Sequence, residues 1–406
     1  MPEVSSLAVW AAGIRAGLLE RDARQTYVFA YPQETGSQAQ VSLTMPVRLA
    51  SWTSRELHPI FQMNLPEGAL LEAGRRAIAK IIGEDDLSIL RVTGENQVGR
   101  NRFSLPGDDS PSLPETSESL HELLTYPNTG ELLNELVAKY ALHSGISGVQ
   151  PKVLLNATGQ GTMVSSNYIV KSWGTDYPCL AANEYFCMTA AKRAGLPTPE
   201  FYLSENGGLF VMQRFDVVHN NEAIGFEDMC SLQALGTARK YSSSYERVAK
   251  SISNFVSGDR LMAAREQFFA TLVLSVMVRN GDAHLKNFGV LYNTPQSAVW
   301  LAPVYDVVTT TVYIKNDVPA LTLAGTKKWW TRKMLEQFAV AHLSLPKAKI
   351  ASVFNRLADT VTETRAKIPE YITHHPEFRE VGEKMMTIWN EGVSDLCHNS
   401  RQEIGQ

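Results

Sequence analysis

The chain has almost no net charge, few cysteines and no long apolar run, and each scarcity removes a class of function. Its 38 basic residues are offset by 42 acidic ones, a formal net charge of -4. Nothing therefore draws the protein as a whole onto a nucleic-acid backbone, and contact with DNA would need a local patch or a partner. The four cysteines, Cys179, Cys187, Cys230 and Cys397, form no CxxC pair. Scattered in this way they suit small buried hydrophobes in a reducing compartment better than a disulfide framework. The opening Met1-Pro2-Glu3-Val4 lacks a basic stretch, and Arg15 soon interrupts the apolar pattern, so no secretory signal is read. The longest strongly apolar run, from Phe268 to Val278, is about half of what a membrane span needs. What remains, with 44% hydrophobic and 20% charged residues, is ordinary globular composition. The expectation is a cytoplasmic protein without membrane contact, whose 406 residues call for two or three lobes.

Local pattern predicts a mixed architecture. Residues 27–31 and 41–45 have the β-rich composition of short strands, with Pro32 and Gly36 as punctuation, and residues 70–82 have helical spacing ending at Gly83. The Pro-, Gly- and Ser-rich stretches 107–114 and 127–130 read as linkers, so a boundary is expected between about 105 and 130. Beyond it, a loop over 144–152 precedes strands at 153–155 and 166–172, a helix over 181–194 stopped by Gly195 and Pro197, and strands at 201–204 and 209–215. A helix over 260–279, apolar on most sides in its last three turns, reads as a buried strut, and 288–292 with 298–303 as a short hairpin. The expected class is α+β, a small sheet-based lobe on a larger helical lobe, with segments 1–110, 130–215 and 216–406.

The most specific chemistry lies in Asn280-Gly281-Asp282-Ala283-His284-Leu285-Lys286-Asn287, with Tyr305-Asp306 downstream. Gly-Asp alone is an ordinary turn. An Asp with an Asn five residues on and a second Asp after it is the layout of phosphoryl transfer around a nucleotide and its metal. Asp282 is then the catalytic base, and Asn287 and Asp306 are ligands of Mg²⁺, which takes a few hard protein oxygens and completes its shell with phosphates and water. His284 would brace the loop, and Lys286 could touch the transferred phosphate. The implied activity is that of an ATP-dependent kinase.

Further candidates lie upstream. Lys171 ends an apolar strand, where a lysine is either solvated or set against an anion such as the nucleotide phosphates. Glu184, early in the next helix, could pair with it or merely answer the helix dipole. The stretch from Ser144 to Lys152, with two glycines and two serines, is a candidate phosphate cover although it is neither a Walker A nor a GxGxxG sequence. The Gln213-Arg214-Phe215-Asp216 run could offer backbone groups to an adenine edge.

SGVQPK, the strand ending in Lys171, QRFD, NGDAHLKN and YD, in this order, together with SLTMPV and NLPEG near the N-terminus, resemble the HipA family of bacterial serine/threonine kinases. The resemblance implies a protein-kinase-like two-lobed fold with a small β-rich N-terminal subdomain and a mostly helical C-terminal lobe, using ATP and Mg²⁺. It also implies the toxin of a toxin–antitoxin pair, neutralised by a HipB-like helix-turn-helix antitoxin. The implied substrate is a serine of an aminoacyl-tRNA synthetase or another translation factor, and DNA is met only through the antitoxin. By the same resemblance Ser147, Gly148, Val149, Gln150 and Lys152 form the phosphate loop, Lys171 contacts the nucleotide, and Gln213, Arg214 and Phe215 form the hinge. Relatives modify a loop serine at the position of Gly145, which leaves Ser147, or else Ser144, as the inhibitory autophosphorylation site. Two other functions fit the same motif: a small-molecule kinase of the aminoglycoside or choline type, and a weakly active scaffold that binds an antitoxin as corepressor.

Overall fold

A computed structural model describes residues 4–65, 85–111, 117–128, 130–132, 135–136, 152–158, 165–172, 176–218 and 222–397. The helix expected over 70–82 lies outside them. The chain is α+β and divides into two compact units. One comprises Met1–Ser172, Val211–Arg239 and Gly289–Val299, the other Trp173–Phe210, Lys240–Phe288 and Trp300–Gln406.

The first unit opens with an antiparallel sheet in the order Trp52–Ser54, Tyr27–Ala30, Ile14–Arg21, Ser6–Ala11, Asn101–Ser104. Its inner face buries Leu7, Val9, Leu19 and Phe29. Phe61 meets Phe29 and Phe103 edge-on, with ring centroids 5.4 and 5.8 Å apart. Each such phenyl contributes roughly 2–3 kcal/mol by leaving water. Helix Asp86–Thr93 begins where the Asp85 carboxylate accepts the amides of Leu87 and Ser88, satisfying donors that the first turn leaves open.

The strand expected at 41–45 is instead a tight turn, closed by the Met45 amide on the Ser42 carbonyl at 3.2 Å. Side chains take the hydrogen bonds that a ladder would have used. The Tyr31 hydroxyl donates to the Met45 carbonyl (2.6 Å) and accepts the Val41 amide (3.1 Å), while Ser42 Oγ and the Leu43 amide both donate to Glu227 at 2.7 Å.

A second sheet contains Ser117–Ser119, Lys152–Thr158, Ser165–Lys171 and Phe210–Gln213 as neighbours in that order. The antiparallel register of the middle pair sets Lys152 opposite Lys171. The strand expected at 209–215 stops at Gln213, because the next side chain turns into a buried ion pair described below.

The second unit is helical. Lys347–Arg365 packs against Leu180–Arg193, Gly258–Met277 and Arg379–Cys397. Every residue of Gly258–Met277 from Phe268 onward is buried, the behaviour of a helix apolar on all sides. A Cβ on Gly392 would strike the Met277 carbonyl, so the last helix runs directly against the end of this strut. Glu184 is buried in the second turn of its helix, beyond the first turn where a helix dipole would account for it. Among the described residues no helix is long and apolar enough to cross a membrane.

Candidate active site

The strut helix ends in an unusual way, and that ending aims the loop Asn280 to Asn287. The Asn280 amide returns to the Ser275 carbonyl (2.8 Å) and the Arg279 amide to Val276 (3.3 Å), the paired bonds of a Schellman cap. The residue in the left-handed position is Arg279, at φ 54°, where glycine is usual. Such a conformation costs on the order of 1 kcal/mol or more and persists only when the surroundings impose it. Here the guanidinium pairs with Asp395 and lies over Trp329, 5.0 Å from the ring centroid.

From this turn the loop is held at several points. The Asp282 amide donates to Asn280 Oδ1 (3.1 Å), the Ala283 carbonyl accepts the Tyr245 hydroxyl (2.9 Å) and the Leu285 amide meets the Lys240 carbonyl (3.2 Å). The amide of Gly281 donates to Thr310 Oγ1 at 2.7 Å, and that hydroxyl donates in turn to Asp317. A Cβ on Gly281 would collide with the Asp317 carboxylate, so the loop approaches this acid as closely as a backbone can.

Asn287 and Asp306 come together, as the spacing predicts. Asn287 Nδ2 donates to Asp306 Oδ2 at 2.9 Å, and its Oδ1 accepts the His284 amide at 3.0 Å. The Asn287 side chain thereby closes the short turn Leu285–Asn287 onto the His284 amide. Asp306 stands at φ 61°, a second left-handed non-glycine residue at the same place. Its segment is anchored on both sides. The Tyr305 hydroxyl donates to the Lys286 carbonyl (2.7 Å), and Thr309 exchanges two hydrogen bonds with Asn183 while its hydroxyl accepts Trp389 Nε1 (2.8 Å).

The Asp282 side chain keeps 47% of its exposure, yet its carboxyl is pushed up to about 6. Crowding by neighbouring atoms is the main cause, and the charges of Asp306 and Asp317 add to it. A hydrogen bond from Tyr241 and the charge of Lys240 act the other way, and water on the open side screens part of the effect.

Lys171 and the run from Gln213 to Asp216 belong to the first unit. Lys171 is buried at the end of its strand, and the backbone register sets it opposite Lys152. The Arg214 guanidinium forks onto Asp216 at 2.7 and 3.1 Å and also reaches Asn96 Oδ1 (2.8 Å) and the Gln97 carbonyl (2.7 Å). Its amide donates to the Asn167 carbonyl at 2.8 Å. Of its polar groups only the carbonyl remains to serve as a hinge contact. Phe215 packs edge-on against Phe226 with centroids 5.5 Å apart, and Gln213 is half-buried. Ser144, Ser147, Gly148, Val149 and Gln150 lie outside the described residues, as does the side chain of Lys152.

A model of the HipA N-terminal domain matches residues 7–104, and one of the HipA-like C-terminal domain matches 144–365, more than half of the chain. The chain belongs to the HipA family. Two Sinorhizobium fredii (strain NBRC 101917 / NGR234) relatives, Y4dM and Y4mE, carry provisional kinase names. Y4dM is 27% identical over 339 residues, 76% of this chain and 75% of its own. Y4mE is 27% identical over 349 residues, 76% and 78% of the two chains. A chain of the Shewanella oneidensis MR-1 toxin–antitoxin complex of HipA, HipB and operator DNA superposes with a TM-score of 0.70 at 19% identity, covering 96% of this chain and 97% of its own. At that identity the likeness concerns the fold.

Three residues of this HipA-family site carry no sequence signal. Tyr241 donates its hydroxyl to Asp282 Oδ1 at 2.7 Å, and Thr310 and Asp317 hold the loop from behind. Each is an isolated polar residue in an unremarkable stretch, and only the tertiary fold assigns it a partner.

Proposed function

We propose that the protein is an ATP-dependent serine/threonine kinase, the toxin of a toxin–antitoxin pair, with Asp282 as general base. The observation that supports this best is the Asn287–Asp306 hydrogen bond beside Asp282, on two segments each held by a left-handed residue. An amide side chain paired with a carboxylate beside a further acid is the group of residues that metal-assisted phosphoryl transfer needs.

The donors suit Mg²⁺. Asn287 Oδ1 retains a lone pair beyond its bond to His284, Asp306 is a carboxylate, and neither is a soft ligand. Among the described residues no three His, Cys, Asp or Glu side chains group to hold a metal. Two protein ligands therefore match an ion that draws the rest of its shell from phosphates and water. When bound, Mg²⁺ would neutralise charge on the phosphoryl oxygens. Asp282, with a pKa of about 6, is ionised at neutral pH and still basic enough to take the proton of an acceptor hydroxyl. Lys171 and Lys152 would receive the nucleotide phosphates, with Ser147, Gly148, Val149 and Gln150 as their cover. Gln213, Arg214 and Phe215 would line the adenine, and Lys286 would contact the transferred group. In this division 1–110 is an accessory subdomain, 130–215 carries the phosphate loop and 216–406 the catalytic loop.

The substrate in this reading is an aminoacyl-tRNA synthetase or another translation factor, and the neutralising partner is a HipB-like helix-turn-helix protein through which DNA is met. The partnership in the Shewanella complex supports the second part. Ser147, or Ser144 beside it, is the self-silencing site, since a phosphate of nearly two charges there would exclude the nucleotide phosphates. Incubation of the phosphatase-treated protein with Mg²⁺ and γ-labelled ATP, alone and with translation proteins, tests the reading. Label transferred to a protein serine, and lost in Asp282→Asn, is the expected result. Transfer only to small alcohols, or none from protein that binds ATP, would overturn it.

A further inference from the structure

The hydroxyl of Tyr241 donates to Asp282 Oδ1 at 2.7 Å. A hydroxyl that lends its proton to the base occupies the place an acceptor must take before phosphoryl transfer. Tyr241 is held there firmly. Its ring stands edge-on to His284, with centroids 5.1 Å apart, and its carbonyl accepts Lys327 Nζ at 3.2 Å. The residue before it is stitched to the catalytic loop through the Leu285 amide. The residue keeps 42% of its exposure, so it is reachable from solvent.

A tyrosine that merely caps a carboxylate is the commoner arrangement. Two features go beyond it here. Asp282 is open enough for water to satisfy it, so burial does not demand a protein cap. The surroundings of the ring are also basic. Lys240 Nζ is 5.5 Å from its centroid and Lys327 reaches its backbone, cations suited to a phosphate more than to a neutral phenol.

We propose that Tyr241 is a phosphoryl acceptor in cis, a modification site that rests on the kinase reading above. In the step, the Tyr241 oxygen forms a bond to the γ-phosphorus of ATP. The bond from that phosphorus to the bridging oxygen breaks, the electron pair leaves with ADP, and the phenolic proton passes to Asp282. The product carries roughly two negative charges at neutral pH. Next to Asp282 they are repelled, and next to Lys240 and Lys327 they are attracted. The modified ring therefore leaves the base and opens it to an external hydroxyl.

The test is site mapping by mass spectrometry of the full-length, phosphatase-treated protein after incubation with Mg²⁺ and ATP, with Tyr241→Phe and Asp282→Asn alongside. The expected result is phosphate on Tyr241, gained at a rate unchanged by dilution and absent from both variants. Phosphate on other residues with Tyr241 unmodified overturns the proposal and leaves the kinase reading standing. No phosphate anywhere, in protein that binds ATP, overturns both. A rate that rises in proportion to protein concentration overturns the assignment in cis.

Discussion

Asp216 in the first unit and Asp282 in the second are both acids in crowded surroundings, and their neighbours have driven them in opposite directions. Burial pulls the Asp216 carboxyl up, but the charge and fork of Arg214 and the amide of Gly99 outweigh it and hold it below the usual range. Burial pulls Asp282 up too, the charges of Asp306 and Asp317 add to it, and Tyr241 and Lys240 do not offset them, so it rises to about 6. The first acid is saturated with partners and has no capacity left for a proton or a ligand. The second is under-supplied, and an acid in that state can still react. What separates the two is a cation: Asp216 has a guanidinium forked onto it, and Asp282 has a phenol hydroxyl as its side-chain donor.

The largest effect that would sharpen this contrast is on catalysis. Asp282→Asn should lower kcat/KM for phosphoryl transfer about 10²–10⁴-fold while leaving the urea midpoint almost where it was. An equal loss of stability would mean that Asp282 is structural after all. Next, Asp216→Ala leaves the Arg214 charge buried without its partner and should destabilise the fold by about 3–5 kcal/mol in urea titrations. Little change there would break the comparison from the other end.

Gly281→Ala separates position from chemistry, because every acid and ligand remains. The added methyl must displace Asp317 or the loop, and a shift of that size should lower kcat roughly 10²-fold with a melting temperature close to the parent's.

The smallest effects are pH dependences of two carboxyls. Asp282 works only when ionised, so kcat/KM should fall about tenfold per pH unit once the pH drops below about 6. Glu227 is buried and raised to about 7, chiefly by loss of water, despite three donors. The fold therefore favours its protonated form. That contribution is complete below 4.5, its ordinary value, and is lost as pH rises through about 7. Glu227→Gln should flatten this slope, which amounts to on the order of 2–3 kcal/mol. Urea titrations across that range would show it.

The strut helix, the loop after it and the Asp282, Asn287 and Asp306 set were legible because their signal is local. An apolar run of helical length and a fixed Asp-to-Asn spacing need no knowledge of the rest of the chain. What was not legible depends on distant partners. Residues 41–45 have the composition of a strand, but Ser42 is claimed by Glu227, 185 positions away, and a local pattern cannot carry that. The QRFD run offers backbone groups to an adenine edge by its setting and by the resemblance, but neither could show that the Arg214 side chain and amide are committed to Asp216, Asn96, Gln97 and Asn167. Tyr241, Thr310 and Asp317 are single residues that acquire meaning only from what packs against them.

The last helix, Arg379–Cys397, offered nothing to read in sequence, yet it supplies Asp395 to Arg279, Trp389 to Thr309 and the glycine that meets the strut. Both strained turns of the site are thus pinned by residues that lie well downstream of them in the chain. A nascent chain would hold all of its reactive groups well before it holds the clamps that aim them. In the reading proposed above, the reactive groups would be aimed only once these later segments had folded.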